Sequence, residues 1–159
     1  MNEGPASVAE VTESYYDSTS ADTFYASIWG GNDIHIGIYE REDDSVYAAS
    51  SRTVAAMASR LRGTVEGLRV LDIGSGYGGS ARTLAALFDC RVDCLNLSQV
   101  QNERNRELCR NAGLDKRIQV VHGSFEAIPG PPSRYEVVWS QDAILHSGAR
   151  EQVLSQVAR

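Results

Sequence analysis

The sequence predicts an α/β fold, a parallel sheet with helices on both faces, and three observations predict it. Four short apolar runs alternate with stretches of helical period, the arrangement of successive βαβ units. Four glycines fall within six residues, Gly74, Gly76, Gly78 and Gly79, where the first of those runs ends and a helical pattern begins. The chain has 159 residues with 42% hydrophobic content, enough for one domain with a core and too few for two.

Each element has a local reason. Residues 7–15 and, after a Ser20 cap, residues 21–29 read as two short helices that stop at Gly30-Gly31-Asn32-Asp33. Tyr15, Tyr16, Phe24, Tyr25 and Trp29 crowd this stretch, with Tyr39 past the break, so residues 1–44 are expected to form a helical lid over a domain of residues 45–159. Tyr47, Val54, Met57 and Leu61 define one buried face of a helix over residues 45–62. Residues 68–73 are the first strand, 78–88 a helix and 91–97 the second strand. Ser98 caps a polar helix that Gly113 closes. Residues 118–122 form the third strand, and the Pro129-Gly130-Pro131-Pro132 run excludes regular structure. Residues 135–140 form the fourth strand and 150–158 an amphipathic helix.

Composition removes several function classes. A net charge of −6 with no basic cluster argues against nucleic acid as a partner. Cys90, Cys94 and Cys109 are odd in number and lack C-x-x-C spacing, so neither a metal site nor a disulfide framework is expected, and free thiols suit a reducing, cytoplasmic setting. The N-terminus has no cationic start or apolar run, and no window approaches the ~18 apolar residues of a membrane span, so no membrane partner is expected.

In "VLDIGSGYGGSAR", Gly74, Gly76 and Gly79 satisfy G-x-G-x-x-G between a strand and a helix, the context in which backbone N–H groups meet a ligand. Nicotinamide and flavin enzymes use the same turn for a pyrophosphate, with an acid about 20 residues on for the ribose. Two residues disfavour that reading. Asp72 would repel a pyrophosphate but accept bonds from a cationic ligand group, or else cap nearby N–H groups. The tip of the second strand carries Asn96 in place of an acid, either as a ribose contact or as an ordinary turn residue.

Residues 72–79 resemble motif I of the class I S-adenosylmethionine-dependent methyltransferases. "YYDSTSADTFYASIWGGNDIHIGIY", "LNLSQVQNERNRE" and "VWSQDAILHS" resemble the sarcosine/dimethylglycine N-methyltransferases of betaine biosynthesis, and looser versions of the aromatic block occur in sterol, tocopherol and phosphoethanolamine methyltransferases. The resemblance implies a Rossmann-like fold, S-adenosylmethionine as cofactor with S-adenosylhomocysteine as product, and a small-molecule amine as acceptor. It implies Asp72, Gly74 and Gly76 at the methionine part of the cofactor, Asn96, Leu97 and Gln101 at the ribose, and Ser124 and Phe125 at the adenine. Gln141 would lie under the sulfonium, with Tyr25, Trp29 and His35 closing over the cofactor. Where many relatives have an aspartate for the adenine amino group, this chain has Ser124.

Methyl transfer to an amine needs in-line alignment and a group that takes the ammonium proton. Asp142 and His146 stand four residues apart past the fourth strand; in a helical turn they would share a face as a carboxylate-oriented base, or each would satisfy local backbone. The resemblance adds Tyr16 as a catalytic partner. Tyr16, Tyr25, Trp29 and Trp139 would present π faces to a sulfonium or quaternary ammonium, or serve as a plain apolar lid. Full-length relatives continue with three further strands, so the resemblance implies truncation after the fourth strand, weak or no turnover alone, and an open edge at which a second copy or a partner chain could pair. The competing reading is a non-catalytic cofactor-binding module that works through such a partner. Another acceptor, phosphoethanolamine or a sterol-like carbon, is the third.

Overall fold

The computed structural model describes residues 6–61 and 67–159, so Arg62, the last residue of the helix expected over 45–62, lies outside the described residues. Four parallel strands, β1 (Arg69–Ile73), β2 (Arg91–Asn96), β3 (Ile118–His122) and β4 (Val137–Trp139), form one sheet in the order β3-β2-β1-β4. The chain runs outward from β1 through α4 (Gly79–Leu87) to β2 and through α5 (Gln99–Asn111) to β3, then returns to place β4 on the other side of β1. The strand order therefore reverses between β1 and β4, the crevice where open α/β sheets take ligands.

Alternation along the strands sorts the core into two layers. Val70, Val92, Cys94 and Ile118 face α3 (Val46–Ala58), α4 and α5, meeting Val54, Ala58, Ala81, Leu84 and Cys109. Leu71, Ile73 and Leu95 face the opposite side, where Val153 and Val157 of α6 (Arg150–Val157) cover them. Helices thus lie on both faces of the sheet, as expected. Ala81, Leu84 and Ala85 sit at i, i+3 and i+4, which is why α4 buries one stripe. Ser98 caps α5 by accepting the Gln101 N–H at 3.1 Å, and Gly113 takes φ +68° after the helix.

Three local expectations need correction. α2 (Thr19–Ile28) is capped by Ser18, whose hydroxyl accepts the Ala21 N–H at 3.2 Å, and Ser20 lies inside the helix. Tyr47 does not join the core face of α3; it is half exposed and lies against Gly30, while Ala49, Ser50, Val54 and Ala58 are buried. Trp139 does not face a ligand, because it points into the layer between the sheet and α3–α5. All three cysteines are free and buried. No helix among the described residues is long and apolar enough to cross a membrane.

Candidate cofactor and methyl-acceptor pocket

The turn after β1 is held in place by its neighbours. Gly74 and Ser75 both donate N–H to the Leu95 carbonyl, at 2.8 and 3.3 Å. Gly74 has φ +71°, and a Cβ there would run into the Ala143 methyl of the turn after β4. Gly78 has φ +73°, and a Cβ there would overlap the Asn105 side chain of α5. The glycines therefore let the β1 turn, the β4 turn and α5 close on one another, and leave a pocket above them.

That pocket, about 880 Å³ with its mouth included, opens at the C-terminal ends of the strands under α1 (Val8–Tyr16) and α2. Gly74 and Gly76 form its floor, Asn96, Leu97 and Gln101 one wall, Ser124 and Phe125 another, and Gln141, Asp142 and His146 the side toward β4. Tyr16, Tyr25 and His35 reach it from the N-terminal segment. Two residues expected at the site stand behind this lining. Trp29 packs against Tyr25 at a tilt of 58° and donates its indole N–H to the His35 carbonyl at 3.1 Å. Asp72 is buried beneath the turn.

Several polar atoms around the pocket are buried with no protein partner: Ser75 Oγ, Gln101 Nε2, Gln141 Nε2 and Asp72 Oδ2. Such groups are costly unless something pairs with them, so this cluster favours an extended polar ligand. Asn96 Nδ2 donates to Gln101 Oε1 at 3.1 Å, which leaves the other end of the Gln101 amide to that ligand. The Ser124 hydroxyl instead accepts the Glu126 N–H at 3.1 Å. Burial, reinforced by the negative charge of Asp33, pushes the Asp72 carboxyl up to about 7. Burial likewise pushes Asp33 up, against the opposing charges of His35 and Arg82.

The expected Asp142–His146 pair does not form. Asp142 has φ +53°, so the chain leaves β4 through a left-handed residue and only Ile144–His146 make a short 3-10 turn. Helical i, i+4 alignment is lost. Asp142 Oδ2 instead accepts the Ile36 N–H at 3.1 Å and lies 3.4 Å from His35 Nδ1. His35 also contacts Ser80 Oγ through Nε2 at 3.1 Å, and burial holds its pKa below the usual imidazole value although Asp33 and Asp142 oppose this. His146 pairs with Tyr16, Nε2 to Oη at 3.2 Å, with the two rings nearly perpendicular. Burial raises the Tyr16 pKa, against a hydrogen bond with Tyr25 that lowers it, so the phenol keeps its proton.

Other lining residues were not among those expected. Thr12 and Glu13 join Tyr16 on one stripe of α1, and Glu126 and Ser147 bond to each other at 2.5 Å near His146. The α1 stripe was available as a polar repeat at helical spacing; the Glu126–Ser147 contact has no local signal. Among the described residues, the lining contains Glu13, Glu126 and Asp142 but no lysine or arginine.

A glycine turn after the first strand, a reversal of strand order and a pocket across it define an α/β domain built to hold a cofactor. A family model described as a methyltransferase domain matches residues 70–159, more than half of the chain, and the protein belongs to that family. It is 51% identical over 152 residues to the sarcosine/dimethylglycine N-methyltransferase of Aphanothece halophytica, covering 96% of this chain and 55% of that protein. It is 46% identical to the dimethylglycine N-methyltransferase of Parasynechococcus marenigrum, covering 94% of this chain and 53% of the relative. Among solved structures, a provisionally named sarcosine dimethylglycine methyltransferase from Galdieria sulphuraria superposes with a TM-score of 0.84 at 44% identity, over 91% of this chain and 55% of the other. The chain thus spans about half the length of the relatives it matches.

Proposed function

We propose that the pocket binds S-adenosylmethionine and that the protein takes part in methylating a small amine, sarcosine or dimethylglycine, toward glycine betaine. The observation that carries this reading is the charge of the pocket: among the described residues, three carboxylates, aromatic rings and no lysine or arginine line it. Such a lining attracts a sulfonium or ammonium and repels a pyrophosphate or phosphoryl group. It therefore favours this cofactor over a nicotinamide dinucleotide. The names of the relatives at 46–51% identity support the same acceptor class.

S-adenosylmethionine supplies an electrophilic methyl group on a positively charged sulfur. The residues of this chain supply placement. Gly74 and Gly76 would let the backbone approach the methionine portion, Asn96 and Gln101 would hold the ribose, Phe125 would give the adenine an apolar wall, and Gln141 would offer its unpartnered amide toward the sulfonium. Asp72, behind the lining, would support the turn from beneath. Tyr16 and Tyr25, 5.8 Å apart in a stacked pair, exclude water from above and turn π faces to the cation. An acceptor that arrives as an ammonium would give its proton to His146, which Tyr16 holds in place, and the free amine would then be able to take the methyl group that S-adenosylmethionine supplies. Asp142 holds the His35–Ile36 segment in this scheme and does not assist His146 directly.

The test is methyl transfer from labelled S-adenosylmethionine to sarcosine, dimethylglycine and phosphoethanolamine, read by mass spectrometry. Even slow labelling of dimethylglycine, lost in His146→Ala, agrees with the proposal. Labelling of phosphoethanolamine alone contradicts the acceptor. The reading as a module that acts through a partner draws on β4, a three-residue strand at the edge of the sheet. Light scattering that shows a concentration-dependent dimer, broken by a proline in β4, would favour it.

A further inference from the structure

Asp22, in the first turn of α2, lies outside the pocket lining and touches two of the elements that build it. Its Oδ1 accepts the Tyr77 hydroxyl at 2.8 Å and the Arg104 Nη1 at 3.0 Å. The Arg104 guanidinium lies 5.2 Å from the centroid of the Tyr77 ring, so the three side chains close into one node. Tyr77 stands between Gly76 and Gly78 in the cofactor turn and is only 1% exposed. Arg104 follows the lining residue Gln101 by three residues on α5. One carboxylate therefore joins α2, the glycine turn and α5.

The turn needs such a tie. Gly74, Gly76 and Gly78 all have positive φ, and a glycine-rich segment loses more backbone freedom on ordering than any other. A ring pinned in the middle of the turn removes that cost before a ligand arrives. The pin holds only while α2 is docked, because Asp22 belongs to α2.

We propose that Asp22 is a positioning residue that, through Tyr77 and Arg104, couples docking of the N-terminal helices to the cofactor-binding shape of the glycine turn. The proposal rests on the assignment of this pocket to S-adenosylmethionine. By linkage, a docked lid raises cofactor affinity and bound cofactor holds the lid down by the same factor. Part of the coupling is ionic and only partly buried, with side-chain exposures of 24% for Asp22 and 35% for Arg104, so salt weakens it.

The experiment is calorimetric titration of the whole chain with S-adenosylmethionine, for wild type, Asp22→Ala, Asp22→Asn, Tyr77→Phe and the Asp22→Ala/Tyr77→Phe double variant, alongside ligand-free melting of each. Asp22→Ala is expected to weaken binding about tenfold, within the usual range of coupling between sites. The double variant should lose no more than that, since both changes break one node. Asp22→Asn, which keeps an oxygen for Tyr77 but loses the charge toward Arg104, should fall between. Raising salt should lower the affinity of wild type more steeply than that of Asp22→Ala, because the variant keeps the charges of the lining and lacks only the ionic part of the node. Should Asp22→Ala fail to fold, Tyr77→Phe carries the test, because it keeps the buried ring and removes only the hydroxyl. Wild-type affinity in the folded variants overturns the coupling. A wild-type chain that binds no S-adenosylmethionine overturns the cofactor assignment instead, and the coupling with it.

Discussion

The N-terminal helices and the sheet beneath them are held by different forces. α1 buries no residue and α2 buries only Ala21, whereas β1 and β2 expose only their first residues, Arg69 and Arg91. Polar contacts hold the helices: Glu13 to His122 at 3.1 Å, Tyr16 to His146 at 3.2 Å, Asp17 to Ser98 at 2.6 Å and Asp22 to Tyr77 at 2.8 Å. A buried aliphatic side chain contributes about 1.5–3 kcal/mol and an ordinary hydrogen bond about 0.5–1.5 kcal/mol. The floor of the pocket is thus set by burial, and its roof by directional bonds that can be released without unfolding the sheet. A pocket at such a seam can admit a ligand from above while its floor stays in place.

Substitutions can break this contrast, and the largest effect is expected in the floor. Leu95 is fully buried against the α6 side of the sheet, so Leu95→Ala should cost about 2–5 kcal/mol in urea unfolding of the whole chain. Asp72 is the exception within that floor. Its pKa is raised from 3.8 to about 7, so between those pH values the folded chain keeps a proton that the unfolded chain has lost, and stability falls as pH rises through the window. Asp72→Asn should therefore melt above wild type at pH 8, with the gap closing toward pH 4, and should bind the cofactor more weakly. Calorimetric melting at several pH values checks the first statement. A wild-type chain that gains stability from pH 4 to 8 relative to the variant would contradict it.

Smaller effects are expected in the roof. Asp17 Oδ1 accepts the Ser98 hydroxyl and the Val100 N–H at the start of α5, so Asp17→Ala should release α1 locally by about 1–2 kcal/mol. Hydrogen exchange should show faster amides in α1 and unchanged protection in β1 and β2. The smallest effect belongs to Val11→Thr, on the exposed side of α1 with 58% exposure, which should change global stability by no more than about 0.5 kcal/mol.

How much of this was legible in the sequence follows the same divide. β1, α4, β2 and α5 were readable because their signals are local: apolar runs, a glycine turn, a serine cap and a closing glycine lie within a few residues of what they determine. Most candidate residues of the turns after β1, β2 and β3 came from the family resemblance, and the sheet brings them to one pocket because parallel strand ends converge. The partners of His35, Asp142 and His146 were not readable. A left-handed Asp142 sends its carboxylate to a segment over 100 residues earlier in the chain, and residue spacing cannot encode that choice. The cap expected at Ser20 falls at Ser18, a residue of the same type two positions earlier, so residue type alone does not locate the start of α2. The Asp22–Tyr77–Arg104 node had no local trace either, because both hydrogen bonds of Asp22 span more than 50 residues.

The most direct test of the central claim, that the strand-end pocket is a cofactor site chosen by charge, is calorimetric titration of the chain with S-adenosylmethionine, S-adenosylhomocysteine and NAD, with Asp72→Ala in parallel. Saturable binding of the first two, none of NAD, and a clear loss of affinity in the variant is the predicted result. Binding of NAD, or no binding of either adenosyl compound to a chain shown to be folded, would contradict it.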